Sequence, residues 1–323
     1  MNKFTSFLAP LIQAYVFYRK ASGCWNEVNY ESNLILFDRY CKKQYPKAAF
    51  LSQEMVNGWC HKRNTEANNS CRTRIDVVVS FIRYLKKRGK TDVTEPNMPR
   101  KERRTYIPHA FTEIELEKFF LACDNLPSAC RTREQHSRKI TVPVFFRLLY
   151  SSGIRTNEAR MLKAEDVDLH HGIINIRYSK GRVQHYVVLH DSILELLKIY
   201  DAAIRKQYPH RTCFFPARGN SFHRRAWVQK NFRELWSKYN STHATAYELR
   251  HHYATENINR WVNEGFGFNA KLFYLSKSMG HSTVESTKYY YSLVPGLADI
   301  LEKKTAIDFE NIVPEVNDEK SNK

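Results

Sequence analysis

Two arginines, a lysine, a histidine and a tyrosine in the second half of the chain stand in patterns suited to handling an anion. Gly153-Ile-Arg155-Thr-Asn-Glu158 falls where one helical pattern ends and another begins. Ser179-Lys180-Gly181 sits at the turn between two strand-like runs, and Tyr247-Glu-Leu-Arg250-His251-His252-Tyr253-Ala254-Thr255 reads as part of a helix. Gly280-His281 is followed nine residues after the histidine by Tyr290, within Tyr289-Tyr290-Tyr291. Singly, each has an ordinary structural reading. An Arg with a Glu three residues on is a helix-surface pair, a hairpin lysine is solvated, and a tyrosine run packs between helices. Together they supply guanidinium forks that grip an oxyanion in bidentate fashion and a phenol able to act as a nucleophile.

The charge balance says which anion. The 323 residues carry 51 Lys+Arg against 33 Asp+Glu, a formal net charge of +18. Residues 1–105 hold 20 basic and 9 acidic residues, a balance of +11, which leaves +7 for the remainder. An excess spread over both halves describes basic surfaces on two folded domains, and a phosphate backbone rewards such surfaces through counterion release. A membrane-surface protein has no support beyond charge, since no apolar run approaches the 18 residues of a span. The start, MNKFTSFLAPLIQ, lacks a small-residue cleavage site and reads as an amphipathic helix, not a signal peptide. Seven scattered cysteines with no C-x-x-C pair, and thirteen scattered histidines with no H-E-x-x-H, point to a reducing cytoplasm and to no metal site or cofactor.

Several elements must position these residues. Phe4, Phe7, Leu8, Leu11, Tyr15 and Tyr18 recur at helical spacing, as do Tyr30, Leu34, Phe37 and Cys41. Ser52 is placed to cap a third helix carrying Met55, Val56, Trp59 and Cys60 on one face. A fourth, from about Asn69 to Arg88, turns Ile75, Val78, Val79, Ile82 and Leu85 inward, with Arg72, Arg74, Arg83, Lys86, Lys87 and Arg88 outward, and stops at Gly89. The basic, proline-punctuated stretch 90–111 is the best join in the chain. Beyond it, Thr112 and Glu115 form a capping box for a helix with Ile114, Leu116, Phe119 and Phe120 as apolar positions. Residues 127–140 read as a basic loop, Ile140 to Tyr150 as an apolar helix, and 172–180 with 184–190 as a hairpin turning at Gly181. Helical patterns then continue to about residue 305.

As an ordered set, these patterns resemble the tyrosine recombinase (phage integrase) family, over essentially the whole chain. The resemblance implies a mainly α fold. A four-helix core-DNA-binding (SAM-like) domain would span 1–95, a linker 96–110, an α-rich catalytic domain with a small antiparallel sheet 111–305, and a flexible tail 306–323. Carried over by position, Arg155 and Arg250 match the catalytic arginines, Glu158 the acidic residue that buttresses the first, and Lys180 the hairpin lysine. His281 matches the His/Trp position and Tyr290 the nucleophile. Where the family has His-x-x-Arg, this chain has Tyr247 three residues before Arg250, and phenols titrate near pH 10, so Tyr247 is no substitute base at neutral pH. His243, four residues earlier, is a candidate replacement if it shares a helix face with Tyr247.

On this resemblance the chain is a site-specific recombinase that integrates, excises or resolves a mobile element through a 3′-phosphotyrosine intermediate. Its expected partners are double-stranded DNA, other copies of itself in a tetrameric synapse, and an accessory DNA-bending or excision factor. The expected location is the cytoplasm, on the nucleoid. Arg72, Arg74, Arg83, Lys86, Lys87, Arg88, Arg100, Lys101, Arg103 and Arg104 are the candidate DNA contacts. The segment Ser292 to Leu301 is expected to pack on a neighbouring subunit, and with the four-helix pattern starting at the N-terminus no arm-binding domain is expected. Two alternatives stay open: a catalytically impaired recombinase-like DNA-binding protein, and a type IB-like topoisomerase, which would relax any supercoiled plasmid.

Overall fold

The computed structural model describes residues 3–23, 25, 27–102, 106–127, 132–177, 184–261, 268–281, 283, 285–288 and 290. The chain divides into two compact units, Met1–Tyr106 and Ile107–Lys323.

The first unit is built on four α-helices, α1 (Ala9–Ala21), α2 (Ser32–Gln44), α3 (Gln53–Cys60) and α4 (Asn68–Lys86), with a short π-helical turn, Glu27–Glu31, ahead of α2. Pro10 occupies the first turn of α1, where its missing N–H costs nothing. The chain before α1 is fastened by buried Asp38 of α2, whose carboxylate accepts from Thr5 N at 2.7 Å and from Ser6 Oγ at 2.6 Å. Ser52 caps α3 by accepting from Met55 N, as its position predicts. Leu8, Ile12, Leu34, Phe37, Val56, Ile75, Val78 and Ile82 close the core.

One sequence expectation fails here. Arg74 does not face outward with the other basic residues of α4 but is buried, 4% exposed. The cause is a complete set of partners: Glu66 takes Nε and Nη2 at 2.9 and 2.6 Å, His61 O accepts at 3.0 Å, and Trp59 O accepts a further bond. A buried guanidinium is tolerable when its donors are satisfied in this way. The guanidinium in turn holds the Glu66 carboxyl well below its ordinary range, at about 2. The polar stretch after α4 is also laid against this unit. Val93 is buried, Thr94 N donates to Gln53 Oε1 at 2.8 Å, Arg72 donates to Pro99 O, and Asn69 donates to Glu102 O at 2.9 Å.

The second unit contains α5 (Glu113–Asp124), α6 (Arg133–Ser152), α7 (Thr156–Arg160), β1 (Val167–Asp168), β2 (Ile173–Ile176), β3 (His185–Val188), α8 (Asp191–Gln207), β4 (Pro216–Ala217), β5 (Ser221–Phe222), α9 (Arg225–Trp236), α10 (Glu248–Trp261), α11 (Phe268–Ser278) and α12 (Glu285–Lys288). Strands β1-β2-β3 form one antiparallel sheet, with Ile176 opposite His185, and β4-β5 form a small hairpin that the sequence pattern did not reveal. The core is aromatic, with Phe119, Phe145, Phe146, Phe214, Phe215 and Phe232 all buried. α6 packs against α5, α8 and α10 and is the central helix of the unit.

Two local readings need correction. Residues 127–140 are not all loop, because α6 begins at Arg133 behind a Thr132–Gln135 capping box. Its polar first turns look loop-like in sequence, yet they bond across to neighbouring helices: Ser137 Oγ to Gln207 Oε1 at 2.6 Å, and Arg138 to Asn231 and Glu234 at 2.6 and 2.7 Å. In α5 the Thr112–Glu115 capping box is present, but Ile114 is 63% exposed. It falls on the solvent side because Leu116, Phe119 and Cys123 define the buried face.

Candidate active site

The C-terminus of α6 sets the first functional side chain. Gly153 takes φ +61°, and a Cβ there would come within 2.2 Å of the Tyr253 ring, so glycine is required twice over. The reversal delivers Arg155 to the start of α7. Glu158 Oε2 accepts there from Arg155 N at 2.9 Å, and Oε1 accepts from Nη1 at 2.6 Å. The Glu158 carboxylate is almost fully buried, so it fixes the arginine and has little exchange with water. Arg155 Nη2 reaches Gly280 O at 3.1 Å.

Arg250, 2% exposed on α10, is the second fork. Nη1 donates to Gly153 O and Nη2 to Met279 O, both at 2.7 Å, while Nη2 also lies 2.9 Å from His281 Nε2. Among the described residues no carboxylate is hydrogen-bonded to it, and its Nε is buried with no hydrogen-bond partner. Burial and the adjacent Arg155 cation both push Arg250 below the ordinary arginine range. The two guanidiniums thus bind the α6–α7 junction to the 279–281 turn, with the Glu158 carboxylate paired to Arg155 and no carboxylate hydrogen-bonded to Arg250 among the described residues, so positive charge is in excess. Such a site attracts and holds an oxyanion.

His281 follows Gly280, whose φ is +63° and whose Cα lies under the His185 ring so closely that a Cβ would approach it to 2.4 Å. A guanidinium only donates, so His281 Nε2 accepts from Arg250, and the proton sits on Nδ1, which donates to buried Thr287 Oγ1 at 2.7 Å. Burial first, then Arg250, Arg155 and His185, lowers the His281 pKa to about 4, so the ring is neutral at pH 7. Tyr290 is 3% exposed and stacks on His281 with ring centroids 6.2 Å apart and planes 12° apart. Burial raises its pKa, opposed by the charge of Arg250. It is packed with Ala254, Ile258, Leu272, Leu275 and Met279.

The structure therefore brings Arg155, Glu158, Arg250, His281 and Tyr290 together. Tyr247 stands beside them, near enough for its charge state to act on Arg250 and Tyr290, and is 46% exposed. It precedes α10 instead of lying within it, because the helix starts at Glu248, whose carboxylate accepts from Thr245 N at 2.5 Å. For the same reason His243 lies on irregular chain and shares no helix face with Tyr247. Lys180 and its turn lie outside the described residues, as do Arg103, Arg104, Tyr289, Tyr291 and the segment 292–301. Of the other candidate DNA contacts, Lys86, Lys87, Arg88, Arg100 and Lys101 are exposed in the first unit. Arg83 is also exposed but bonds Glu95 through two donors, and Arg72 is partly buried. Sequence reading missed His185, His251 and Thr287 as parts of the site. Only His185 left a signal, a polar residue in the inward register of Val187 and Leu189.

The chain belongs to the phage integrase family, whose model matches residues 111–295, and is a tyrosine-type site-specific recombinase. It is 25% identical over 305 residues to the tyrosine recombinase XerC of Bacillus subtilis, covering 90% of this chain and 92% of that one. It is 30% identical over 148 residues to XerD of Staphylococcus saprophyticus, 44% of this chain and 47% of the relative. In fold it is similar to the XerH site-specific recombinase bound to a palindromic difH substrate in a post-cleavage complex, with a TM-score of 0.58 at 18% identity over 86% of this chain and 78% of that one. A lambda integrase (75–356) dimer bound to a COC′ core site matches with a TM-score of 0.54 at 14% identity, over 87% and 94% of the two chains.

Proposed function

We propose that this recombinase breaks and rejoins duplex DNA at a specific site through a covalent bond to Tyr290. The observation that carries the reading is a buried Arg250 with no carboxylate hydrogen-bonded to it among the described residues, in one cluster with Arg155, His281 and a buried tyrosine. As the Tyr290 oxygen attacks phosphorus in line, negative charge grows on the non-bridging oxygens, and the forks of Arg155 and Arg250 bind it. Tyr247 adds a hydrogen bond to the phosphate at the open side of the site. The 5′-oxygen departs with a proton from Lys180. The 3′-phosphotyrosine stores the bond energy, so an incoming 5′-hydroxyl restores the strand without ATP.

The exposed basic side chains of the first unit would hold the duplex, and the biological outcome would be integration, excision or resolution of a mobile element by copies joined in a tetrameric synapse. Action on the nucleoid of the cytoplasm, with an accessory DNA-bending or excision factor, fits that role. The test is covalent trapping in EDTA on nicked duplexes cut from the DNA flanking its own gene, beside Tyr290→Phe, Tyr289→Phe and Tyr291→Phe. A denaturation-resistant protein–DNA band lost only in Tyr290→Phe is expected. Specific binding with no covalent band in any variant would establish the binding-only alternative.

A further inference from the structure

His281 is held by both of its ring nitrogens at once. Nε2 lies 2.9 Å from Arg250 Nη2, and Nδ1 lies 2.7 Å from Thr287 Oγ1. A guanidinium has no lone pair to share, so Nε2 is the acceptor and Nδ1 carries the proton. The oxygen that meets this proton belongs to Thr287, which is fully buried on α12, three residues before Tyr290. Two bonds to different ring nitrogens fix the plane of the imidazole, and the Tyr290 ring lies 12° from that plane.

We propose that Thr287 is a positioning residue for the cleavage reaction. Its hydroxyl accepts the hydrogen bond of His281 Nδ1–H, holds the tautomer that Arg250 requires, and sets the ring plane on which Tyr290 is stacked. The inference rests on the covalent mechanism proposed above.

Without that oxygen the ring has two poor choices. Kept as it is, it buries an unpaired Nδ1–H, which costs about as much as a lost hydrogen bond. With the proton moved to Nε2, it faces the Arg250 N–H donor against donor, and the contact between the histidine and the second arginine breaks. Either way the ring turns or shifts, and the guanidinium and the Tyr290 ring move with it. The same hydroxyl ties the segment that carries Tyr290 to the 279–281 turn, which Arg155 and Arg250 fasten through Gly280 O and Met279 O. In-line attack on phosphorus tolerates little displacement, since a shift of about 1 Å costs on the order of 100-fold in rate.

The experiment compares Thr287→Val, which keeps the branched shape and removes the oxygen, with Thr287→Ser, which keeps the oxygen. Ser286→Ala, which removes an exposed hydroxyl one position earlier, is the control, and circular dichroism verifies folding. Three quantities are measured at pH 7: affinity for nicked duplexes selected from randomised arms for reaction with the wild type, single-turnover covalent trapping on them, and the ¹⁵N resonances of the His281 ring, assigned against His281→Gln. Thr287→Val should bind DNA within about twofold of wild type yet trap it about 10- to 100-fold more slowly. Thr287→Ser should recover most of that loss, and Ser286→Ala should match wild type. The wild-type ring should be protonated at Nδ1 and bare at Nε2, a single pattern that Thr287→Val loses. Wild-type trapping in Thr287→Val, or a wild-type ring protonated at Nε2, overturns the assignment. So does a slow Thr287→Val that Thr287→Ser fails to restore, which marks the side chain as packing only. A wild type that traps no duplex while its His281 spectrum is as expected overturns the covalent mechanism, and with it any role of Thr287 in cleavage; the intact spectrum tells that failure from the others.

Discussion

Arg74 in the first unit and Arg250 in the second are both buried, at 4% and 2% exposure, yet they are furnished in opposite ways. Arg74 has a carboxylate on Nε and Nη2, and carbonyls on Nη1 and Nη2. Arg250 has two carbonyls and one neutral imidazole, and its Nε has no hydrogen-bond partner among the described residues. Dipoles orient a guanidinium without cancelling its charge. The first cation is therefore spent on holding α4 to the α3 end, while the second has no carboxylate hydrogen-bonded to it among the described residues, as the proposed binding of a DNA phosphate requires.

The sharpest break in this comparison is catalytic. Arg250→Ala should lower covalent trapping by about 10²–10³-fold, the usual cost of one oxyanion donor, whereas Arg74→Met should leave trapping on a folded sample near wild type. Stability should show the reverse order. Glu66→Gln leaves Arg74 buried without its counter-charge and should cost about 3 kcal/mol in urea unfolding. Because Glu66 is held at about 2 against an ordinary 4.5, the pair's contribution is complete above pH 4.5 and is lost as pH falls toward 2. An acid titration of unfolding should therefore show a component in that window that is absent in Glu66→Gln.

Ligand-induced stabilisation gives a subtler probe. Phosphate or sulfate should raise Tm in the wild type by mass action on the arginine cluster, and Arg250→Ala should lose most of that rise. Gly280→Ala forces a methyl toward the His185 ring at a positive φ, and should cost about 1–2 kcal/mol while slowing trapping about tenfold through displacement of His281. The smallest effect belongs to the exposed face. Arg83→Ala should change only the salt dependence of DNA binding, reducing the slope by about 1 if Arg83 leaves Glu95 for a phosphate.

Much of the site was legible because its residues come in ordered local patterns. Arg155 with Glu158, Arg250, and His281 with Tyr290 were grouped by the family resemblance, and they lie in one cluster. Caps were equally legible, since Ser52 and Thr112 act through residues three positions away. What escaped was everything set by distant partners. The burial of Arg74 depends on Glu66 and on two carbonyls outside α4, and helical periodicity placed it with its solvent-facing neighbours. The polar start of α6 depends on Gln207, Asn231 and Glu234, 70 to 96 residues away. His251 and Thr287 looked like ordinary helix residues, because nothing in the sequence tells which side chain will meet Tyr290.

The turn at 279–281 also acts as an anchor point. Arg155 and Arg250 fasten it, by bonds to Gly280 O and Met279 O, to the end of α6. Tyr290 stands nine positions after His281, and nine steps of chain span at most about 30 Å when fully extended. Tyr290 is thus a hook on a short line with a fixed post. Any phosphate it attacks, in its own cleft or in that of an adjacent copy, must lie within that span plus the length of the tyrosine side chain, so the length of line sets how closely two cooperating sites must approach.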